Sequence, residues 1–171
     1  PKTLIDRAIE ARSSADLARD NAIVIDVNRV MADLGTIKAS TEIYEGHLLV
    51  TGLFNNPDTY RKFEDGVRAV KGVKRLFWHV THLTARAQDE AIREGRLMDW
   101  ADVLAFETKA RARLIGTAGV ADVNFRVTAD AFGNLYLLGR ARSAEEMKKA
   151  LAKLEEGDRV RKVYNYAVVR P

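Results

Sequence analysis

Ile23, Val27, Val30, Met31 and Leu34 fall at i, i+4, i+7, i+8 and i+11. That is the spacing of one helical face, and it predicts a helix from Ala22 to Leu34, stopped by Gly35. The period then changes to two. Thr41–Tyr44 and His47–Leu53 alternate on either side of Glu45-Gly46 and predict a hairpin. Leu48, Val50 and Gly52 share one side of its second strand, where a glycine lets a helix lie close to the sheet. Asn56 as cap and Pro57 at the first position open a second helix, with Tyr60, Phe63, Val67 and Val70 as its stripe. Gly72 ends it, and Val73–His82 reads as a third strand. That strand is apolar on both sides, with Leu76, Trp78 and Val80 on one and Val73 and Phe77 on the other. A sheet with helices on one face only should be polar on the other. The second face is therefore expected to be covered, by a neighbouring module or by another chain.

The pattern then returns. Leu48-Leu49-Val50-Thr51-Gly52, after Glu45-Gly46, reappears eighty-seven residues later as Leu135-Tyr136-Leu137-Leu138-Gly139, after Phe132-Gly133. The same offset carries Val73 onto Val160. Phe106, Ala110 and Leu114 mark the inward face of a helix beginning at Trp100, and strands are expected at Asp122–Ala129 and Asn134–Ala141. Ser143-Ala144-Glu145-Glu146 has the capping-box spacing. Met147, Ala150, Leu151 and Leu154 form the stripe that follows, and Val160–Val169 closes the sheet. The fold class is α+β, an α/β sandwich of two α-β-β-α-β modules, each a three-stranded sheet with two helices on one face. The expected boundaries are a helical N-terminal extension at 1–15 (Leu4, Ile5, Ala8 and Ile9 on one side), a first module at 16–83, a linker with a helical stretch at 84–99 and a second module at 100–171. Modules of about seventy residues have small cores, which makes docking them together physically useful.

Bulk composition narrows the class without naming a function. With 47% hydrophobic residues and three prolines among 171, the chain is built to fold. It has no cysteine, so neither a disulfide framework nor a thiolate metal site is available. Its apolar runs are too short for a transmembrane helix. It opens on Pro1 instead of methionine, so an upstream segment is expected. The net charge of +4 lies in the second module, where 13 basic residues face nine acidic ones, against nine and nine over 16–83. A basic surface suits an anionic partner such as a lipid head group or nucleic acid, although a solvated face explains so small an excess equally well.

Catalytic chemistry is hard to assemble. His79 and His82, three apart on a strand, point to opposite faces and cannot chelate one ion. His47 has no serine or carboxylate beside it in a recognisable motif. No nucleophile elbow, phosphate loop or dinucleotide fingerprint occurs. Gly116-Thr117-Ala118-Gly119 has the Gly-x-x-Gly spacing of K-homology loops, but it carries no Lys or Arg and leads from a helix towards a strand. It is read as a turn, with no nucleic-acid partner.

The doubled order, with Leu48-Leu49-Val50-Thr51-Gly52 followed by Val70-Lys71-Gly72-Val73-Lys74-Arg75-Leu76, resembles the BON domain family of bacteria. The second copy keeps Gly133 and Gly139 but has Glu156-Gly157-Asp158-Arg159-Val160 where the first has its Gly-Val step. The resemblance implies a tandem BON-domain protein exported to the periplasm, linked to envelope integrity and osmotic stress. It further implies binding of phospholipid or envelope proteins, without enzymatic activity; from the residues themselves no cofactor or metal is expected. Some such proteins are outer-membrane lipoproteins; with no cysteine here, an anchor would have to sit on a residue upstream.

Two sets of candidate residues follow. For attachment to anionic phospholipid these are Trp100, Leu104, Lys109, Arg111, Arg113 and Ile115, where aromatic, apolar and basic groups share one helix as interfacial attachment requires. For an interaction face joining modules or subunits, with a homo-oligomer among the outcomes, they are Leu49, Leu53, Phe77, Tyr164 and Tyr166.

Overall fold

A computed structural model describes residues 10–171. Leu4, Ile5, Ala8 and Ile9 of the expected N-terminal helix lie outside the described residues. The elements are α1 (Ser14–Asp33), β1 (Ala39–Tyr44), β2 (His47–Phe54), α2 (Pro57–Arg68), β3 (Arg75–His82), α3 (Ala85–Arg93), α4 (Trp100–Ile115), β4 (Phe125–Ala129), β5 (Asn134–Ala141), α5 (Ala144–Glu155), β6 (Lys162–Asn165) and β7 (Val168–Val169). The fold is α+β with two small mixed sheets.

Each helix begins where a side chain accepts an orphan amide. Ser13 Oγ takes Asp16 N, Asn56 Oδ1 takes Asp58 N and Thr59 N, Asp99 Oδ1 takes Asp102 N, and Ser143 Oγ takes Glu146 N. The Ser143 cap lacks the reciprocal half of a capping box. The Glu146 carboxylate instead accepts from Arg142 N and Ala121 N, both at 2.8 Å, tying α5 to the turn after α4. Glu45 and Gly46 both have positive φ, at 49° and 79°, the conformation that lets a two-residue hairpin follow strand twist. The buried Asp20 carboxylate of α1 accepts from both turn amides at 2.7 Å.

In each sheet the hairpin is antiparallel and the third strand pairs parallel to the second. Elements β2, α2 and β3 recur as β5, α5 and β6–β7, each pair of boundaries eighty-seven residues apart. His47 pairs with Arg75 as Asn134 pairs with Lys162, and the register continues through Arg140 with Val168. The last strand is interrupted at Tyr166-Ala167, yet it keeps step with β5 throughout.

Four further readings from sequence need correction. The first helix starts at Ser14, eight residues before the expected Ala22, because Ser13 caps it there. Residues Asp122–Asn124 form a 3₁₀ turn ahead of β4, so that strand begins later than its alternation suggests. Gly52 and Gly139 do not make room for a helix. A Cβ at Gly52 would lie 2.6 Å from Lys38 O, and one at Gly139 only 2.1 Å from Asn124 O. What crowds both is the backbone entering the first strand of each hairpin. Finally, the stretch after α3 is not mere linker. Leu97 and Met98 are buried in the second core, and Met98 N donates to Ala131 O at 2.8 Å.

Three apolar clusters result. One lies between the first sheet and its helices, around Ile23, Val27, Leu48, Val50, Phe63 and Val67. A second lies between the other sheet and its helices, around Val103, Phe106, Ala110, Leu135, Leu137 and Leu154. The third joins the two sheets.

Candidate functional site

Alternation along β2 and β5 leaves Leu49 and Thr51, and Tyr136 and Leu138, on the faces away from the helices, and these faces meet. Tyr44, Leu49, Phe77, Tyr136 and Leu138 are buried together, with Tyr164 and Tyr166 packed against them. Phe77 stacks on Tyr166 at 4.0 Å between centroids and Tyr136 on Tyr164 at 5.0 Å. Polar groups here are paired across the junction. Thr51 and Thr128 hydroxyls lie 2.9 Å apart, Tyr44 OH donates to Asn124 Oδ1 at 3.0 Å, and His79 Nε2 meets Tyr166 OH at 2.8 Å. Burial holds the His79 imidazole below its ordinary range and so favours the neutral ring. Tyr136 donates to Asp130 at 2.7 Å, and burial followed by that carboxylate pushes its phenol far up.

Of the residues expected at an interaction face, Leu49, Phe77, Tyr164 and Tyr166 line this junction, whereas Leu53 packs into the second core with Ala91, Leu97 and Met98. Tyr136, Leu138, Thr51 and Thr128 belong to the same face. The period-two parity that singled out Leu49 places Thr51, Tyr136 and Leu138 there as well.

Charged groups close the rims. On one side Arg111 donates to Glu42 at 2.7 Å, to Glu107 at 2.8 Å and to Val127 O at 3.1 Å. Ser40 Oγ donates to Glu107 at 3.1 Å. Burial pushes the Glu107 carboxyl up to about 7 against the opposing pull of Arg111, and burial also raises Glu42. On the other side Glu45, at the first hairpin turn, pairs with Arg140 at 3.2 Å and with Arg170.

The six residues of the lipid candidate do not form one surface. At about 100° per residue, Trp100, Arg111, Leu104 and Ile115 lie on one flank of α4, while Lys109 and Arg113 lie on the opposite flank. Trp100 packs against the second core. Arg111 is held at the rim, and Arg113 donates to Lys153 O and Leu154 O at the end of α5. Burial of that guanidinium lowers its proton affinity. Lys109 is exposed, and Leu104 and Ile115 are 47% and 38% exposed.

Those two apolar side chains belong to a wider feature. Ala101, Leu104, Ala105, Thr108, Ala112 and Ile115 are all exposed and together cover an uncharged arc about 100° wide. The first unit has a comparable arc on α1, where Ser14, Ala18, Asn21, Val24, Ile25, Asn28 and Ala32 are exposed and uncharged, Ile25 at 59%. It is the more polar of the two, with Asn21 and Asn28 flanking Ile25. A helix apolar on its core side and uncharged outside offers a second face that can be covered at little desolvation cost. Among the described residues no helix is long and apolar enough to cross a membrane. Nor does any group of three His, Asp or Glu converge there to hold a metal.

With this geometry the second unit can be compared with known proteins. Residues 102–171 match the BON domain family. The match begins one residue after Ala101 inside α4 and runs through β7; the family model does not extend to the first unit, despite the shared element order. BON domains are in general non-catalytic. No curated protein is significantly similar to the chain in sequence. Among solved structures, CdsD, a structural protein of the type III secretion system of Chlamydia trachomatis, is similar at 15% identity over 87% of this chain and 92% of that one, with a TM-score of 0.33. A structure of the CdsD C-terminal domain is similar at 16% identity over 94% and 100%, with a TM-score of 0.34. Both likenesses are distant.

Proposed function

We propose that the chain is a non-catalytic module of the bacterial envelope that holds another protein against the outer arcs of α1 and α4, the first unit being a second BON-like domain. The observation that carries this is the pair of uncharged arcs, built mostly of small residues, on corresponding helices of the two units. Helix docking needs small residues that let backbones approach and few charges to desolvate. The BON domain of the second unit supports a periplasmic location.

Attachment to anionic phospholipid is the second reading, favoured by the exposure of Leu104 and Ile115. It requires cations beside the apolar strip. Arg111 and Arg113 are occupied elsewhere, which leaves Lys109 on the far flank. The geometry therefore supports a protein partner better.

A photo-crosslinking amino acid placed at position 25 or 104 of the full chain, expressed in the producing bacterium, separates the two. Discrete protein adducts at both positions are expected. Purified protein should pellet equally poorly with phosphatidylglycerol and phosphatidylcholine vesicles. Absence of protein adducts, together with phosphatidylglycerol-dependent pelleting that Lys109→Glu abolishes, would replace this reading with the lipid one.

A further inference from the structure

The two units place the same elements at the same register, so one can be used to read what the other lacks. In the first unit the groove between α2 and β3 is filled. Tyr60 meets Trp78 at 6.0 Å and His82 at 6.3 Å between ring centroids, and Phe63 lies 5.4 Å from Trp78. Trp78 Nε1 donates to Tyr60 OH at 3.0 Å, and the Arg68 guanidinium, paired with Glu64, covers the indole at 5.8 Å. Eighty-seven residues on, the corresponding positions are Met147 for Tyr60, Ala150 for Phe63, Leu151 for Glu64, Asn165 for Trp78 and Val169 for His82. Every aromatic ring is gone, and an apolar residue replaces the acid of the covering ion pair. What remains is an open groove of about 450 Å³ between α5 and β7, lined by Ala144, Met147, Lys148, Leu151, Ala152, Glu155 and Val169.

Strand order leaves the outer edge of β6 and β7 without a neighbouring strand among the described residues, and Val169 is 48% exposed beside it. An unpaired edge next to an apolar groove is the arrangement that accepts an extended peptide, with backbone pairing along the edge and a side chain in the groove. Charge narrows the partner. Residues 159–171 contain no acid, and of their four cations Arg159 faces Asp102 at 4.0 Å and Arg170 pairs with Glu45, which leaves Arg161 and Lys162. Among the described residues no carboxylate pairs with Lys148, Arg161 or Lys162, although Lys162 lies over the Tyr164 ring. Glu155 at one end of the groove is the single acid in its lining.

We propose that the groove between α5 and β7 is the docking site for an extended acidic segment of another protein, which seats one aromatic side chain against Met147, Leu151 and Val169. The site lies away from the outer arcs of α1 and α4 and stands or falls independently of them.

The test uses a phage-displayed library of random dodecapeptides, selected on the full chain and counter-selected on a plugged variant, Met147→Tyr with Val169→His, which restores the first unit's side chains. Enrichment of sequences with one Trp, Phe or Tyr among Asp and Glu is expected. The consensus peptide, followed by fluorescence polarisation, should lose at least tenfold in affinity to the plugged variant and to Leu151→Glu, with the melting temperature of both variants within a few degrees of the parent. Replacing the aromatic residue of the peptide by Ala should have the same effect. A consensus without aromatic or acidic residues, no enrichment over the counter-selection, or affinity indifferent to both variants would overturn the proposal. So would a dimer in light scattering that Leu151→Glu dissolves, since a second copy would then occupy the groove.

Discussion

Glu107 offers a sharp measurement of how the two units are joined. Its carboxylate is 3% exposed, accepts from Ser40 of β1 and shares Arg111 with Glu42, so it sits where one unit meets the other. Burial lifts it from 4.5 to about 7. A carboxyl raised on folding is best tolerated protonated. Its contribution to stability is complete below the unfolded value near 4.5 and is lost as pH rises through about 7. The full displacement corresponds to about 3 kcal/mol, and solvent access to Arg111, which is 43% exposed, brings the expected change between pH 5 and pH 8 to about 2 kcal/mol. Glu107→Gln keeps the hydrogen-bonding shape and removes the titration. Urea unfolding of both proteins at pH 5, 6, 7 and 8 isolates this carboxyl, because His47 and His79, both held low and therefore of opposite sign, are common to the pair. The variant should be the more stable at pH 8, and the difference should vanish towards pH 5. Parallel curves for the two proteins would refute the assignment of a buried, proton-accepting carboxylate to this junction.

Three further outcomes follow from the geometry. Gly139→Ala should destabilise by about 3 kcal/mol or more, and more than Gly52→Ala, because Gly139 combines a φ of 133° with a 2.1 Å approach to Asn124 O; thermal unfolding of both variants ranks them. Arg159 occupies with φ 69° the position that Gly72 fills with φ 90° in the first unit, so Arg159→Gly should raise stability by about 1 kcal/mol in urea titration. Thr51→Val alone should cost about 1–2 kcal/mol by leaving the buried Thr128 hydroxyl unpaired, whereas Thr51→Val with Thr128→Val should recover most of it, as a double-mutant cycle will show.

The face buried between the two sheets was largely legible because a strand advertises both of its sides. Leu49, Phe77, Tyr164 and Tyr166 alternate with residues claimed by the helices, and so had to be covered by something. Leu53 escaped that logic: near the end of β2 it is buried in the second core, a cluster that also takes in Leu97 and Met98. The lipid candidate fared differently because composition along a helix says nothing about which cations are already engaged. Arg111 and Arg113 became structural only when Glu42 and the carbonyls of α5 were brought to them by distant segments. The uncharged arcs on α1 and α4 were present in the sequence as small residues at outward positions, but alanine, the commonest of them, is as much at home inside as outside. The open groove depended on a comparison of equivalent positions, Trp78 with Asn165 and Tyr60 with Met147, that has meaning only at known register.

The chain alone determined its elements, their order and their repetition, since periodicity, caps and turn glycines act over a few residues and are written locally. Tertiary structure decided that the two sheets bury each other's second faces, that a backbone and not a helix crowds Gly52 and Gly139, and which charges remain free. Those outcomes depend on segments tens of residues apart arriving at the same place, where burial and pairing, being properties of neighbours in space, first come into existence.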